Sequence, residues 1–239
     1  MPVSDIVENV RREIKKYDKP ENKLNYQRFF KEKLENPFSL KSSIVAKITN
    51  DCFKQLKGCP KNEIFKYCEE LLASDDSVEK GIAFSWADKV KGQFAESDFK
   101  RFEGWLKKHV HSWAACDSLC CGALGQLILQ YSKLAGRTES WAKSKNRWFR
   151  RASAVSLILS GRNGKLLDKI FARADILLTD EDDMVQKGYG WMLKEAGNRF
   201  PEEVFKYVMK HRREMPRTAL RYAIEKFPAA MRKQAMAKD

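Results

Sequence analysis

Glycine and proline are scarce in this chain, 12 and 7 of 239 residues, and alternating β-branched runs are nearly absent. That excludes a turn-rich all-β architecture and argues against a parallel sheet. No stretch approaches the roughly 20 apolar residues of a membrane-spanning helix. The opening MPVSDIVENVRREIKKYDK is charged throughout and lacks the apolar centre of a signal peptide, so a cytoplasmic protein is expected. The six cysteines, Cys52, Cys59, Cys68, Cys116, Cys120 and Cys121, show no paired C-x-x-C spacing. In a reducing compartment they read as small buried hydrophobes. A zinc site assembled from His109, His111 and the three cysteines of HVHSWAACDSLCC would need two well-separated ligand pairs, which the spacing does not supply. Neither metal nor cofactor is expected.

What is present is helical periodicity and positive charge. Apolar residues recur at three and four, as in Ile6, Val10, Ile14 and in Leu124, Ile128, Tyr131. The breaks are short: YDKPEN, ENPFSL, GCPKNE, SGRNGK, RFPEEV, EMPRTA and KFPAAM. Pro20, Pro60, Pro201 and Pro228 each stand where a helix could begin with proline in its first turn. With 43% hydrophobic residues for a continuous core and no evident linker, residues 1–239 read as a single all-α domain. Four stretches also repeat one pattern: SVEKGIAF from Ser77, SLCCGALG from Ser118, WFRRASAV from Trp148 and MVQKGYGW from Met184. Each has an apolar residue second and a small residue fifth. The spacing predicts a HEAT-like helical-repeat solenoid, an α-α superhelix whose small residues let stacked helices approach closely.

The net charge of +14 and a pI near 9.5 point to a polyanion, nucleic acid before an acidic membrane. Residues 137–173 hold ten basic side chains and two acids, with Arg147 and Arg150 beside Trp148, and Trp141 close by. In the repeat register Lys80, Arg151 and Lys187 share one position. A solenoid would set them as a basic stripe on its concave face, able to track a phosphate backbone. If a helix already includes Trp113, then Trp113, Asp117 and Cys121 share a face at four-residue spacing, and Trp191 lies one turn beyond Lys187. An acid on a phosphate-facing surface is unfavourable unless it has a task. Asp117 ahead of an apolar run is either a helix N-cap or the acid of an active site.

HSWAACDSLCCGALGQ, NRWFRRASAVS and QKGYGWMLKEAGNRFPEEVFKYV resemble the AlkD-like DNA alkylation repair proteins, the HEAT-repeat alkylpurine DNA glycosylases. The likeness is most specific from Ser112 to Ile224; NYQRFFKEKL and DDSVEKGIAFSW agree more loosely with the family's amino-terminal repeats. Carried over by position, Asp117 corresponds to the catalytic aspartate, Trp113 and Trp191 to the tryptophans framing the lesion nucleotide, and Arg151 to an arginine facing the DNA backbone. One departure is Ala114, where the founding enzyme type carries a second acid. The resemblance implies a metal-independent DNA-repair hydrolase acting as a monomer on double-stranded DNA with alkylated bases, in the nucleoid and away from membranes. It also implies that the duplex is gripped around the lesion without inserting the base into a pocket, unlike base-flipping glycosylases.

The chemistry of that substrate explains how one acid could suffice. Glycoside hydrolysis usually takes two carboxyl groups. A purine alkylated at N3 or N7 is already cationic and leaves neutral without an acid's help. There remain the oxocarbenium-like sugar, which a carboxylate and electron-rich indole faces can stabilise, and the attacking water, which the carboxylate can position. Two other readings stay open: a noncatalytic HEAT-repeat module binding bent, branched or damaged DNA, and a protein-scaffolding solenoid.

Overall fold

The computed structural model describes residues 3–29 and 38–237. Residues 30–34 of NYQRFFKEKL and 35–37 of ENPFSL therefore lie outside the described residues. Contacts group the chain into two compact units, 1–94 and 95–239. The division falls at Phe94–Ala95, where no shift in composition marks a linker, which is why the sequence reads as one continuous domain.

In the first unit α1 (Val3–Tyr17), α2 (Ser42–Phe53), α3 (Lys61–Leu72) and α4 (Ser77–Lys89) pack around a shared core. Ile6, Val10, Ile48, Ile64, Phe65, Leu71, Ile82 and Trp86 are buried there, and the Trp86 indole N–H donates to the Thr49 carbonyl at 3.0 Å. A two-stranded antiparallel hairpin, β1 (Lys23–Asn25) with β2 (Phe38–Leu40), pairs Lys23 with Leu40 and Leu24 with Ser39. Three-residue strands are too short to display alternation, so a helical reading of the sequence passes over them.

The second unit is helical throughout its described residues. It comprises α5 (Asp98–His109), α6 (Trp113–Cys121), α7 (Ala123–Gln130), α8 (Leu134–Arg137), α9 (Arg147–Val155), α10 (Ile158–Arg162), α11 (Leu167–Leu177), α12 (Asp183–Ala196), α13 (Pro201–His211), α14 (Arg217–Ile224) and α15 (Ala229–Met236). Helices α6, α9, α12 and α14 pack in succession. The contact of α12 with α14 requires Gly190, where a Cβ would stand 2.6 Å from the Ala219 carbonyl oxygen and 2.7 Å from the Tyr222 Cβ. Pro201 occupies the first turn of α13 and Pro20 that of a short 3-10 turn. Pro60 and Pro228 sit one position earlier, as the caps of α3 and α15, in extended backbone that the proline ring tolerates.

The repeat is set by helix starts. Helices α4, α6, α9 and α12 begin at residues 77, 113, 147 and 183, which are 36, 34 and 36 residues apart. Each start is preceded by a side chain that caps it: Asp76 accepts from the Val78 and Glu79 amides, Ser112 from Ala115, Asn146 from Trp148, and Asp182 from Met184 and Val185. In this register the counterparts of Arg151 and Lys187 are Asp117, not Cys121, and Gly81, not Lys80, corrections of four residues and of one to the alignment read from the sequence. The expected packing role of the small residues holds at Gly188 but not at Gly81, where an added Cβ would meet nothing within 4 Å.

Candidate active site

Because α6, α9 and α12 start in register, the fifth residue of each, Asp117, Arg151 and Lys187, falls at an equivalent place on neighbouring helices. Asp117 and Arg151 meet there. The Arg151 Nε donates to Asp117 Oδ1 at 2.9 Å and its Nη2 to Oδ2 at 2.8 Å, a bidentate fork matching the planar guanidinium to the carboxylate. The remaining arm, Nη1, donates to the Met184 carbonyl in the first turn of α12. One arginine therefore links three helices. Gly188 makes the crossing feasible: a Cβ there would stand 3.2 Å from Arg151 Cγ.

The two partners differ in depth. The Arg151 side chain is 6% exposed and that of Asp117 17%, so the carboxylate is the outer end of the pair. Burial by itself would lower the Arg151 pKa, but the hydrogen bonds and charge of Asp117 outweigh it and hold the guanidinium above its ordinary value. Capping is not the task of Asp117. It lies inside α6, and Ser112 caps that helix by accepting from the Ala115 amide at 3.3 Å. Trp113, one turn before it on the same face, is half-buried.

The cysteines fasten α6 to α9. The Cys116 thiol donates to the Trp148 carbonyl at 3.7 Å and Cys121 to the Val155 carbonyl at 3.8 Å. Burial, with Asp117 adding to it, pushes Cys121 up to about 12, and burial pushes Cys120 well above the ordinary thiol value. The Cys116 and Cys121 thiols are thus spent on carbonyls of the neighbouring helix. Among the described residues no three His, Cys, Asp or Glu side chains are grouped to hold a metal. No described helix is long and apolar enough to cross a membrane.

A second carboxylate lies on α12 beside Trp191. Glu195, one turn after Trp191 in α12, is buried; its Oε1 accepts from the Trp191 indole N–H at 3.1 Å and its Oε2 from Arg162 Nε at 2.9 Å. The Arg162 guanidinium stands 6.0 Å from the Trp191 ring centroid.

A family profile described as DNA alkylation repair enzyme matches residues 10–227. The chain belongs to the DNA alkylation repair enzyme family. No curated protein matches it. Among solved structures, a predicted DNA alkylation repair enzyme from Enterococcus faecalis is similar at 16% identity, covering 79% of this chain and 87% of that one, with a TM-score of 0.69. This likeness is one of fold, an all-α helical-repeat arrangement.

Within this family member the basic residues selected from sequence are less naked than expected. Arg151 is buried on Asp117 and cannot face a phosphate without leaving it. Arg147 pairs with Asp182, Nε to Oδ2 at 2.8 Å, and lies 5.2 Å over the Trp148 ring. Arg150 pairs with Asp180 at 2.7 Å and also donates to the Ser144 carbonyl at 3.0 Å. Lys187 pairs with Asp183 at 3.2 Å. The acids come from the segment entering α12, outside the basic stretch counted from sequence. Trp148 is half-buried. Trp141 is core, stacked on Phe99 with its indole N–H donating to Glu103 at 3.0 Å. Lys80 lies half-buried in α4 of the first unit. Glu195 and Arg162 escaped the sequence reading, although Trp191 and Glu195 already stand at i and i+4 of one helix.

Proposed function

We propose that this chain is a DNA glycosylase hydrolysing the N-glycosidic bond of cationic N3- or N7-alkylated purines in duplex DNA. The observation carrying this reading is the Asp117–Arg151 pair, bidentate, buried, and outermost at its carboxylate. Arg151 takes one hydrogen-bond site on each oxygen, leaving each oxygen a free lone pair. Asp117 is thereby held immobile, its carboxylate outward. That is what a developing sugar cation needs, because a fixed charge stabilises it without reorganising at the moment of reaction. A free lone pair can orient the water that attacks C1′ of the deoxyribose as the neutral base departs. Trp113 and Trp191 add indole faces beside the developing charge. Arg151 acts as the positioning partner of Asp117.

Phosphate contacts fall to Arg147, Arg150 and Lys187, which exchange their carboxylate partners for the backbone, with Trp148 beside them; Lys80 on α4 offers the first unit a phosphate contact of its own. The reading is tested by single-turnover release of 7-methylguanine from methylated duplex by the purified protein in a strong chelator, alongside affinity for undamaged duplex over a range of salt. We expect release in chelator and an affinity that falls steeply with salt, reporting several displaced counterions. Salt-dependent binding without release identifies a noncatalytic DNA-binding module. Absence of binding at low salt removes both readings.

A further inference from the structure

Glu195 is a buried acid on which four donors converge. Its Oε1 takes the Trp191 indole N–H at 3.1 Å and Lys226 Nζ at 3.4 Å; its Oε2 takes Arg162 Nε at 2.9 Å and Asn198 Nδ2 at 3.2 Å. The acid is 7% exposed, whereas its two cations, Arg162 and Lys226, are 43% and 51% exposed. Burial alone would raise the Glu195 pKa, but the Arg162 and Trp191 hydrogen bonds and the charges of Arg162 and Lys226 hold it below the ordinary value. A carboxylate needs no tryptophan to be satisfied when two cations reach it. An indole, in contrast, has a single N–H donor, and directing it at a fixed acceptor leaves the ring with one orientation about the helix. Trp191 is half-buried, so the rest of its face is presented outward.

We infer that Glu195 is a positioning residue: it fixes the ring plane of Trp191 for the lesion nucleotide and holds Arg162 against that ring, leaving Arg162 and Lys226 at the surface beside it as phosphate contacts. This rests on the glycosylase reading for its consequence in catalysis, but not for the link between Glu195 and Trp191. The hydrogen bond and the charge make different demands, and two conservative variants separate them. Glu195→Gln keeps an acceptor oxygen for the indole and discards the charge; its amide N–H2 turns toward Arg162, which is exposed enough to swing away. Glu195→Asp keeps the charge and withdraws the acceptor by one methylene.

Trp191 is followed by its emission and by acrylamide quenching, taking the difference between each protein and the same protein carrying Trp191→Phe. Release of 7-methylguanine is measured in single turnover at saturating DNA. In Glu195→Gln we expect an unchanged Trp191 signal, release within about threefold of wild type, and equal or tighter affinity for undamaged duplex, since an acid has left two cations. In Glu195→Asp we expect a more quenchable Trp191 and release lower by on the order of 10-fold, the consequence of a misplaced ring. In the Trp191→Phe background Glu195→Asp should cause no further loss, because the two act as one unit. The inference is overturned if Trp191 is equally shielded in Glu195→Asp, if Glu195→Gln is the more damaging variant, or if release in Glu195→Asp falls only in step with its thermal midpoint. If the wild-type protein releases no base, the glycosylase reading fails, and the Trp191 quenching alone decides whether Glu195 positions the ring.

Discussion

Replacing Asp117 by Asn would be nearly harmless if Asp117 were a helix cap, since Asn caps as well as Asp. The pair with Arg151 makes it costly instead. Asn offers one oxygen to the guanidinium and turns its N–H2 group on the other nitrogen, leaving a 6% exposed cation with half its partner missing. Breaking a buried ion pair from one side costs about 3 to 5 kcal/mol. The lower end applies, because Asp117 keeps some contact with water. At roughly 2 to 4 °C per kcal/mol for a protein of this size, the thermal midpoint should fall by about 6 to 12 °C. Release of 7-methylguanine should fall about 100-fold or more, the usual loss when a preorganised electrostatic contact is removed from a transition state. Either effect could masquerade as the other, so a second protein is needed. In Asp117→Leu with Arg151→Met no charge is buried, and the space over Gly188 that takes the Arg151 stem takes the Met stem. Apolar replacement of a buried pair is commonly neutral or stabilising, so the midpoint should recover to within about 3 °C of wild type. Release should not recover at all. The assay is calorimetry beside single-turnover release, with the folded fraction established at the assay temperature. A double variant that regains both its midpoint and its release would make the pair purely structural and refute the assignment of Asp117.

Three further expectations follow from the partners named above. Asp182→Asn keeps the cap on the Met184 and Val185 amides but releases Arg147, so affinity for undamaged duplex should rise, by up to about tenfold at low salt and less as salt increases, at a stability cost of a few tenths of a kcal/mol; unchanged affinity would remove Arg147 from the interface. Glu195 is held below the ordinary glutamate value of 4.5, so its contribution to stability is complete above that pH and is lost as pH falls through the lower, folded value; Glu195→Gln should flatten the acid limb of midpoint against pH, and an unaltered limb would contradict this. Burial and Asp117 push the Cys121 thiol up to about 12, so iodoacetamide at pH 8 should label it far more slowly in the native protein than after guanidinium unfolding, as mapped by mass spectrometry; equal labelling would show that the thiol is not held against the Val155 carbonyl.

The sequence by itself determined the helices and the chemistry available to them. Three-and-four periodicity, short proline-marked breaks and the near absence of alternating β-branched runs settle an all-α chain, because each is a local property of the backbone. Trp113, Asp117 and Trp191 stood out for the same reason: helical spacing alone assigns them to faces of α6 and α12. The cap residues Asp76, Ser112, Asn146 and Asp182, which the sequence reading passed over, carry the true repeat spacing better than the apolar pattern, which slipped by one helical turn at Cys121 and by one residue at Lys80. What the sequence could not decide is which charges meet. A run of cations between Arg137 and Arg173 reads as an open basic face, yet its Arg147, Arg150 and Arg151 close on Asp182, Asp180 and Asp117, residues 30 to 35 positions away. Ion pairing between stacked repeats depends on the distance between helices, and that distance is set by packing details such as the missing side chain at Gly188. The same holds for Glu195: its bond to Trp191 is written into one helix, but its burial under Arg162 and Lys226 exists only once α10, α12 and the Lys226 segment have come together. Tertiary structure therefore turned Asp117 from a suspected cap into the outer end of a buried pair, because a charge's role is fixed by what remains near it after water has been excluded.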